Sequence, residues 1–131
     1  MIVGGILGAT LIAFVVVTAG NEAPESATDP VDPAALAEGR QLFLANCAAC
    51  HGVDLTGTGF GPPLLHRYYA PNHHSDEAFQ QAVARGVVQH HWNFGSMDPV
   101  PGLTRDDVAD IVAFVRAEQQ AAGIFRDPSH P

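Results

Sequence analysis

The sequence has no lysine. Its six basic residues are all arginines, set against fourteen acidic residues in a chain of 131, for a formal net charge of −8. This balance excludes the basic face that nucleic acid and anionic lipid require. It leaves an acidic surface suited to partners with a neutral or basic docking site. Cysteine is nearly as scarce, with only Cys47 and Cys50. Two residues so close together cannot build a disulfide framework, and neither stands near the start, where a lipid-anchoring cysteine would lie. Besides Met1 there is one methionine, Met97, and there is one tryptophan, Trp92.

Charge is missing altogether from Met1–Ala19, where only Thr10 and Thr18 are polar. As a helix this run would be about 28 Å long, close to the ~30 Å hydrocarbon core of a bilayer. A secretory signal normally has a basic start and an apolar stretch of roughly 7–15 residues. This run has no basic start and is longer, so residues 1–20 are expected to form an uncleaved membrane anchor. The alternative is a cleaved signal ending at Val17-Thr18-Ala19. Glu22, Glu25, Asp29 and Asp32 follow before the first arginine, Arg40. An acidic flank is readily placed outside the cytoplasm. The expected location is therefore the periplasmic side of a bacterial-type inner membrane, anchored or, after cleavage, soluble.

Residues 21–32 are rich in Pro, Ala and acidic residues without apolar periodicity and read as a linker, with a folded unit over 33–125 and a short tail over 126–131. Three helices are predicted. The first is capped by Asp32, opens with Pro33 and runs to about Asn46, with Leu36, Gly39, Phe43 and Cys47 on one face. The second starts at Ser75 and stops at Gly86. The third starts at Thr104, with Asp107 completing a capping-box variant, and ends near Gly123. Its stripe of Val108, Ile111, Val112 and Val115 faces inward. Long glycine- and proline-containing loops over 52–70 and 87–102 separate these helices. So few helices cannot easily make a dry core alone, and a cofactor is expected to supply part of the apolar interior.

Residues 46–52 read N-C-A-A-C-H-G. A C-x-x-C pair serves as a zinc half-site, a redox dithiol or half of a haem attachment site. Zinc would need a second tight Cys or His pair. A redox dithiol would open a helix after a strand in a βαβ setting, whereas this pair follows a helix. The adjoining His51 completes C-x-x-C-H, the haem c pattern. Two thiols at this spacing can bond both vinyl groups on one porphyrin edge, which holds the next residue's imidazole under the ring. A strained short-loop disulfide is the bland alternative.

From these residues the chain resembles the class I c-type cytochromes with one haem, over about 33–119. The resemblance rests on G-x-x-x-F-x-x-x-C-x-x-C-H at Gly39–His51, G-P-P-L at Gly61–Leu64, and Met97 before a C-terminal helix. It implies an all-α cytochrome c-like fold, with three main helices around one covalently bound haem and the N-terminal apolar helix outside the domain. It also implies a close crossing of first and last helices at Gly39, with Phe43 meeting Phe114. The carbonyl of Pro62 would orient His51, and Leu64 would pack on the haem face.

Met97 lies in the loop before the third helix and is the expected sixth ligand, opposite His51. A thioether there raises the reduction potential. Similar proteins usually have proline directly after this methionine, but here Asp98 intervenes, and its charge would favour ferric iron. His90 and His91 are rival ligands. The pairs His73-His74 and His90-His91 could instead hold a second metal such as copper, each pair chelating only from a loop. More simply, His66, His90 or Trp92 would line the haem rim or meet its propionates, and His130 would be solvated.

With both axial positions filled by protein, the expected role is one-electron transfer rather than catalysis. The partners would be membrane respiratory or dehydrogenase complexes: an oxidase, a reductase or a dehydrogenase. A haem subunit of one specific dehydrogenase is one alternative. A sensor or peroxidase-like protein with a dissociable sixth ligand is another.

Overall fold

The computed structural model describes residues 32–129. The expected membrane segment, nearly all of the linker and His130 lie outside the described residues. Among the described residues, no helix is long and apolar enough to cross a membrane. The described residues form four α-helices, α1 (Pro33–Asn46), α2 (Ala48–His51), α3 (Asp76–Arg85) and α4 (Arg105–Ala121), and one 3₁₀ turn at Arg67–Tyr69. The described residues contain no strand, only an isolated antiparallel bridge between Val87 and Met97.

The helix ends follow from local chemistry. Asp32 Oδ1 accepts the Ala34 N–H at 2.9 Å, and Pro33 occupies a first-turn position that needs no donor. At the start of α4, Thr104 Oγ1 accepts the Asp107 N–H at 3.1 Å while Asp107 Oδ2 accepts the Thr104 N–H at 2.8 Å. Both arms of the capping box are thus closed. Ser75 precedes α3 but makes no side-chain cap bond, so Asp76 and Glu77 in the first turn supply the favourable charge there. The sequence reading did not anticipate α2, a single turn that carries Cys50 and His51 and ends at Gly52.

α1 and α4 cross at Gly39. A Cβ there would lie 2.0 Å from the Asp110 carbonyl oxygen, so only glycine permits the contact. One turn further on, Phe43 is fully buried and meets the Phe114 ring at 5.6 Å, tilted by 53°. Val108, Ile111, Val112 and Val115, the stripe read from the sequence, are all buried. Each such side chain contributes roughly 1.5–3 kcal/mol. By contrast, α3 buries no residue at all, although Ala78, Phe79, Ala82 and Val83 form an apolar side. That side faces a cavity.

The irregular segment after α2 is held by two polar residues of α4. Gln119 is 1% exposed and donates Nε2 to the carbonyls of Leu64 (2.9 Å) and Tyr69 (3.1 Å). Arg116 bonds the Tyr69 and His74 carbonyls, Gln119 Oε1 and Asp76. Residues 126–129, read from the sequence as the start of a tail, are also tied down. Asp127 is 0% exposed, exchanges backbone–side-chain bonds with Asn72, and accepts from Ser129 and from His73 Nδ1.

Candidate haem site

The apolar side of α3 and the inner face of α4 enclose a cavity of about 360 Å³. Cys47, His51, Pro62, Leu64 and Met97 also line it, so five of the six candidate residues from the sequence meet around one space. The sixth, Cys50, is not among the lining residues and is solvent-exposed. The two thiols are not bonded to each other in this structure. Burial, then the neighbouring Cys50, pushes the Cys47 thiol up to about 11, so it is uncharged near neutral pH.

His51 has a fixed tautomer. Its Nδ1 lies 2.9 Å from the Pro62 carbonyl oxygen. A carbonyl only accepts, so Nδ1 carries the proton and Nε2 the lone pair. Burial lowers the pKa of this imidazole, partly offset by that hydrogen bond. The ring is therefore held neutral, the form that binds a metal.

Met97 is fixed through its backbone. Val87 and Met97 exchange both N–H···O bonds at 2.9 Å, closing the loop between them. Gly86 makes that approach feasible. It has φ +75°, and a Cβ there would lie 2.4 Å from the Met97 carbonyl oxygen.

Opposite the aliphatic wall the cavity turns aromatic and polar, with Tyr69, His74, His90, His91 and Trp92. The Trp92 indole N–H is buried and makes no hydrogen bond within the described residues. An orphaned buried donor calls for an acceptor from a bound group. Burial raises the Tyr69 hydroxyl to about 12, partly offset by the neighbouring Trp92 N–H, so it stays protonated and can donate in turn. His66 is not on the cavity wall; it accepts the Tyr68 N–H at Nδ1 and packs edge-on against Trp92 at 5.0 Å. An apolar slot with a neutral imidazole, a thioether, the Cys47 thiol and polar groups on one side suits a porphyrin. Its ring is apolar, its iron takes nitrogen and sulfur, and its propionates accept hydrogen bonds.

Sequence reasoning named five residues of the cavity wall but not the supports behind them. Gln119 and Arg116 lie on a helix whose apolar stripe was legible, and no local pattern distinguishes them from surface residues. Nor did it foresee that the two histidine pairs would meet: His74 and His90 bring their Nε2 atoms to 3.4 Å.

Comparison with known proteins agrees with this arrangement. The profile of the Cytochrome c family matches residues 36–118. Over 92 residues the chain is 32% identical to a cytochrome bc1 complex cytochrome c subunit of Corynebacterium diphtheriae, covering 70% of this chain and 30% of that protein. It is 31% identical to the cbb3-type cytochrome c oxidase subunit CcoP of Rubrivivax gelatinosus (64% and 26%) and 30% identical to a thiosulfate dehydrogenase of Allochromatium vinosum (70% and 33%). The chain thus spans about a third or less of the length of these curated relatives. Among solved structures, cytochrome cL of Methylophaga aminisulfidivorans superposes with a TM-score of 0.50 at 29% identity, over 66% of this chain and 55% of that one. With a matching profile over most of the described residues, a helical fold shared with cytochrome cL and a C-x-x-C-H motif on the cavity wall, the chain belongs to the cytochrome c family.

Proposed function

We propose that the protein is a one-electron carrier with a single haem c, joined through Cys47 and Cys50 and ligated by His51 and Met97. The observation that carries this reading is the His51–Pro62 bond, which directs a neutral imidazole's lone pair from the wall of a cavity that Met97 also lines. When bound, the haem supplies a reversible one-electron couple. The protein's part is to hold the ring, fill the axial positions and exclude water. Leu64 and the α4 valines furnish the apolar contact, and Tyr69 and Trp92 are placed to donate to propionates.

The reading is tested by the absorption spectrum of the purified ferric protein. Methionine sulfur on ferric haem gives a weak long-wavelength band, which should be present and should disappear in Met97→Ala. A native protein without the band would overturn methionine ligation. The relative named as a thiosulfate dehydrogenase motivates the competing reading, an enzyme or sensor with an open sixth position. Carbon monoxide binding by the reduced protein at ordinary concentration would favour it.

The partners are redox proteins of respiratory or dehydrogenase complexes, met on the periplasmic side of the membrane. Their docking sites would be neutral or basic, to complement a charge of −8. Apolar contact contributes as well. Phe60, 79% exposed, is linked to Cys50 through Thr58, whose hydroxyl bonds the Cys50 carbonyl and accepts the Phe60 N–H. Electron-transfer rates should fall as salt rises, and rates independent of salt would refute a basic docking site.

A further inference from the structure

Beyond the proposed iron ligands, His73, His74 and His91 bring their ligand atoms together, and His90 meets this group through His74. The Nε2 atoms of His74 and His90 lie 3.4 Å apart. Each ring commits its Nδ1–H to a backbone carbonyl, His74 to Tyr68 and His90 to Val88 at 2.9 Å. Neutral rings so fixed carry their lone pairs on Nε2. Two lone pairs facing each other at 3.4 Å repel unless a positive charge lies between them. His73 makes the analogous commitment, setting Nδ1 2.8 Å from the buried Asp127 carboxylate. Carbonyl and carboxylate partners of this kind orient metal-binding imidazoles and make them more basic.

The rest of the quartet is close enough to join them. Ligand atoms of His73, His74 and His91 all lie within 4.8 Å of one another. Ring centroids are 4.9 Å apart for His73 and His74, 4.8 Å for His73 and His91, and 4.3 Å for His90 and His91. Two loops separated by α3 contribute one adjacent pair each. Each adjacent pair lies outside the helices, where the sequence reading required it to be in order to chelate, and the fold brings the two pairs together.

We propose that His73, His74, His90 and His91 form a site for one tetrahedral zinc ion, separate from the haem iron. One pair already has the separation a tetrahedral ion requires: bonds of ~2.0–2.1 Å in a tetrahedron set ligand nitrogens about 3.4 Å apart, whereas neighbouring ligands of square-planar Cu²⁺ would lie about 2.9 Å apart. The other nitrogens, spread over up to 4.8 Å, would close in on the ion. The site does not rest on His51/Met97 ligation, and it stands or falls separately.

The test uses haem-loaded full-length protein, stripped with chelator and titrated with Zn²⁺ near neutral pH, with iron content as the reference. One zinc per haem is expected, with four nitrogen neighbours at about 2.0–2.1 Å in zinc-edge X-ray absorption. His90→Gln should weaken binding at least tenfold, because altering only an outer-shell partner already costs ~10–100-fold. His90 is exposed, so this change does not threaten folding, and a far-ultraviolet circular dichroism spectrum matching the parent's would confirm that. His74→Gln should have an effect at least as large. Unchanged affinity in His90→Gln would show adventitious surface binding and overturn the site. So would protein that binds no zinc, in which the two rings merely share a proton or meet propionates. Uptake of Cu²⁺ without Zn²⁺ would overturn the tetrahedral assignment.

Discussion

Replacing Gln119 by leucine keeps side-chain volume nearly constant and removes only hydrogen bonds, so its cost can be worked out from the structure. The amide nitrogen serves the Leu64 and Tyr69 carbonyls, and the amide oxygen accepts from Arg116 Nη1 at 2.7 Å. After substitution, Tyr69 keeps Arg116 Nη1 at 2.6 Å. Leu64, which is 7% exposed, has no second partner for its carbonyl among the described residues. One buried carbonyl is then orphaned, at ~1–3 kcal/mol, and one charged donor loses one of its acceptors. Added apolar burial returns part of this. The net loss should be about 2–3 kcal/mol, or roughly 10–20 °C in melting temperature for a domain of this size. Thermal unfolding of the haem-loaded protein, followed by far-ultraviolet circular dichroism, measures it. Gln120→Leu, one residue away and exposed, is the control and should stay within about 0.5 kcal/mol of the parent. A loss in Gln119→Leu no larger than the control's would refute the view that α4 holds the Pro62–Leu64 segment through this amide.

Gly39→Ala should destabilise the domain by about 1–3 kcal/mol despite alanine's better helix propensity, because its Cβ would meet the Asp110 backbone rather than a movable side chain; a melting temperature at or above the parent's would show that the helices can part freely. Asp98→Asn removes an exposed negative charge next to the proposed sulfur ligand and should raise the reduction potential by roughly 10–30 mV, taking a charge about 10 Å from the iron in a water-like dielectric. An unchanged potential in redox titration would remove Asp98 as the cause of any tuning. Thr104→Ala should cost about 1 kcal/mol through loss of the cap. The backbone N–H and hydroxyl of Thr104 hold the Asp107 carboxyl below the ordinary carboxylate range. A depressed folded pKa contributes stability that is complete above the unfolded value of ~3.9 and fades as pH falls below it. The gap between parent and variant should therefore narrow on acidification, and a gap that widens would contradict the box.

What was legible in the sequence was whatever is encoded locally. Asp32-Pro33, Thr104 with Asp107, and the Val108–Val115 stripe are each read within one or two turns of helix, and α1 and α4 lie where those signals put them. Gly39 and Phe43 were legible for another reason: they stand at fixed offsets from Cys47, and the family resemblance turns those offsets into a helix crossing. α2 was missed because four residues are too few to show periodicity. Asp127 was assigned to a tail because a buried carboxylate looks, in sequence, like any surface one. Its partners Asn72 and His73 come from more than fifty residues upstream.

The same limit explains why the histidines could not be resolved from sequence. Whether an imidazole ligates depends on which of its nitrogens is already spent and on what faces the other one. For His51 the orienting group is the Pro62 carbonyl, eleven residues away, so a G-P-P-L motif could foretell it. For His74 and His90 the local carbonyls of Tyr68 and Val88 fix the tautomers, but only the packing of two loops brings the resulting lone pairs face to face. A residue's chemistry can be guessed from sequence when its orienting partner is near in the chain. Here the orienting partners are near but the opposing ligand is not, so the sequence offers four histidines and the fold makes them a quartet.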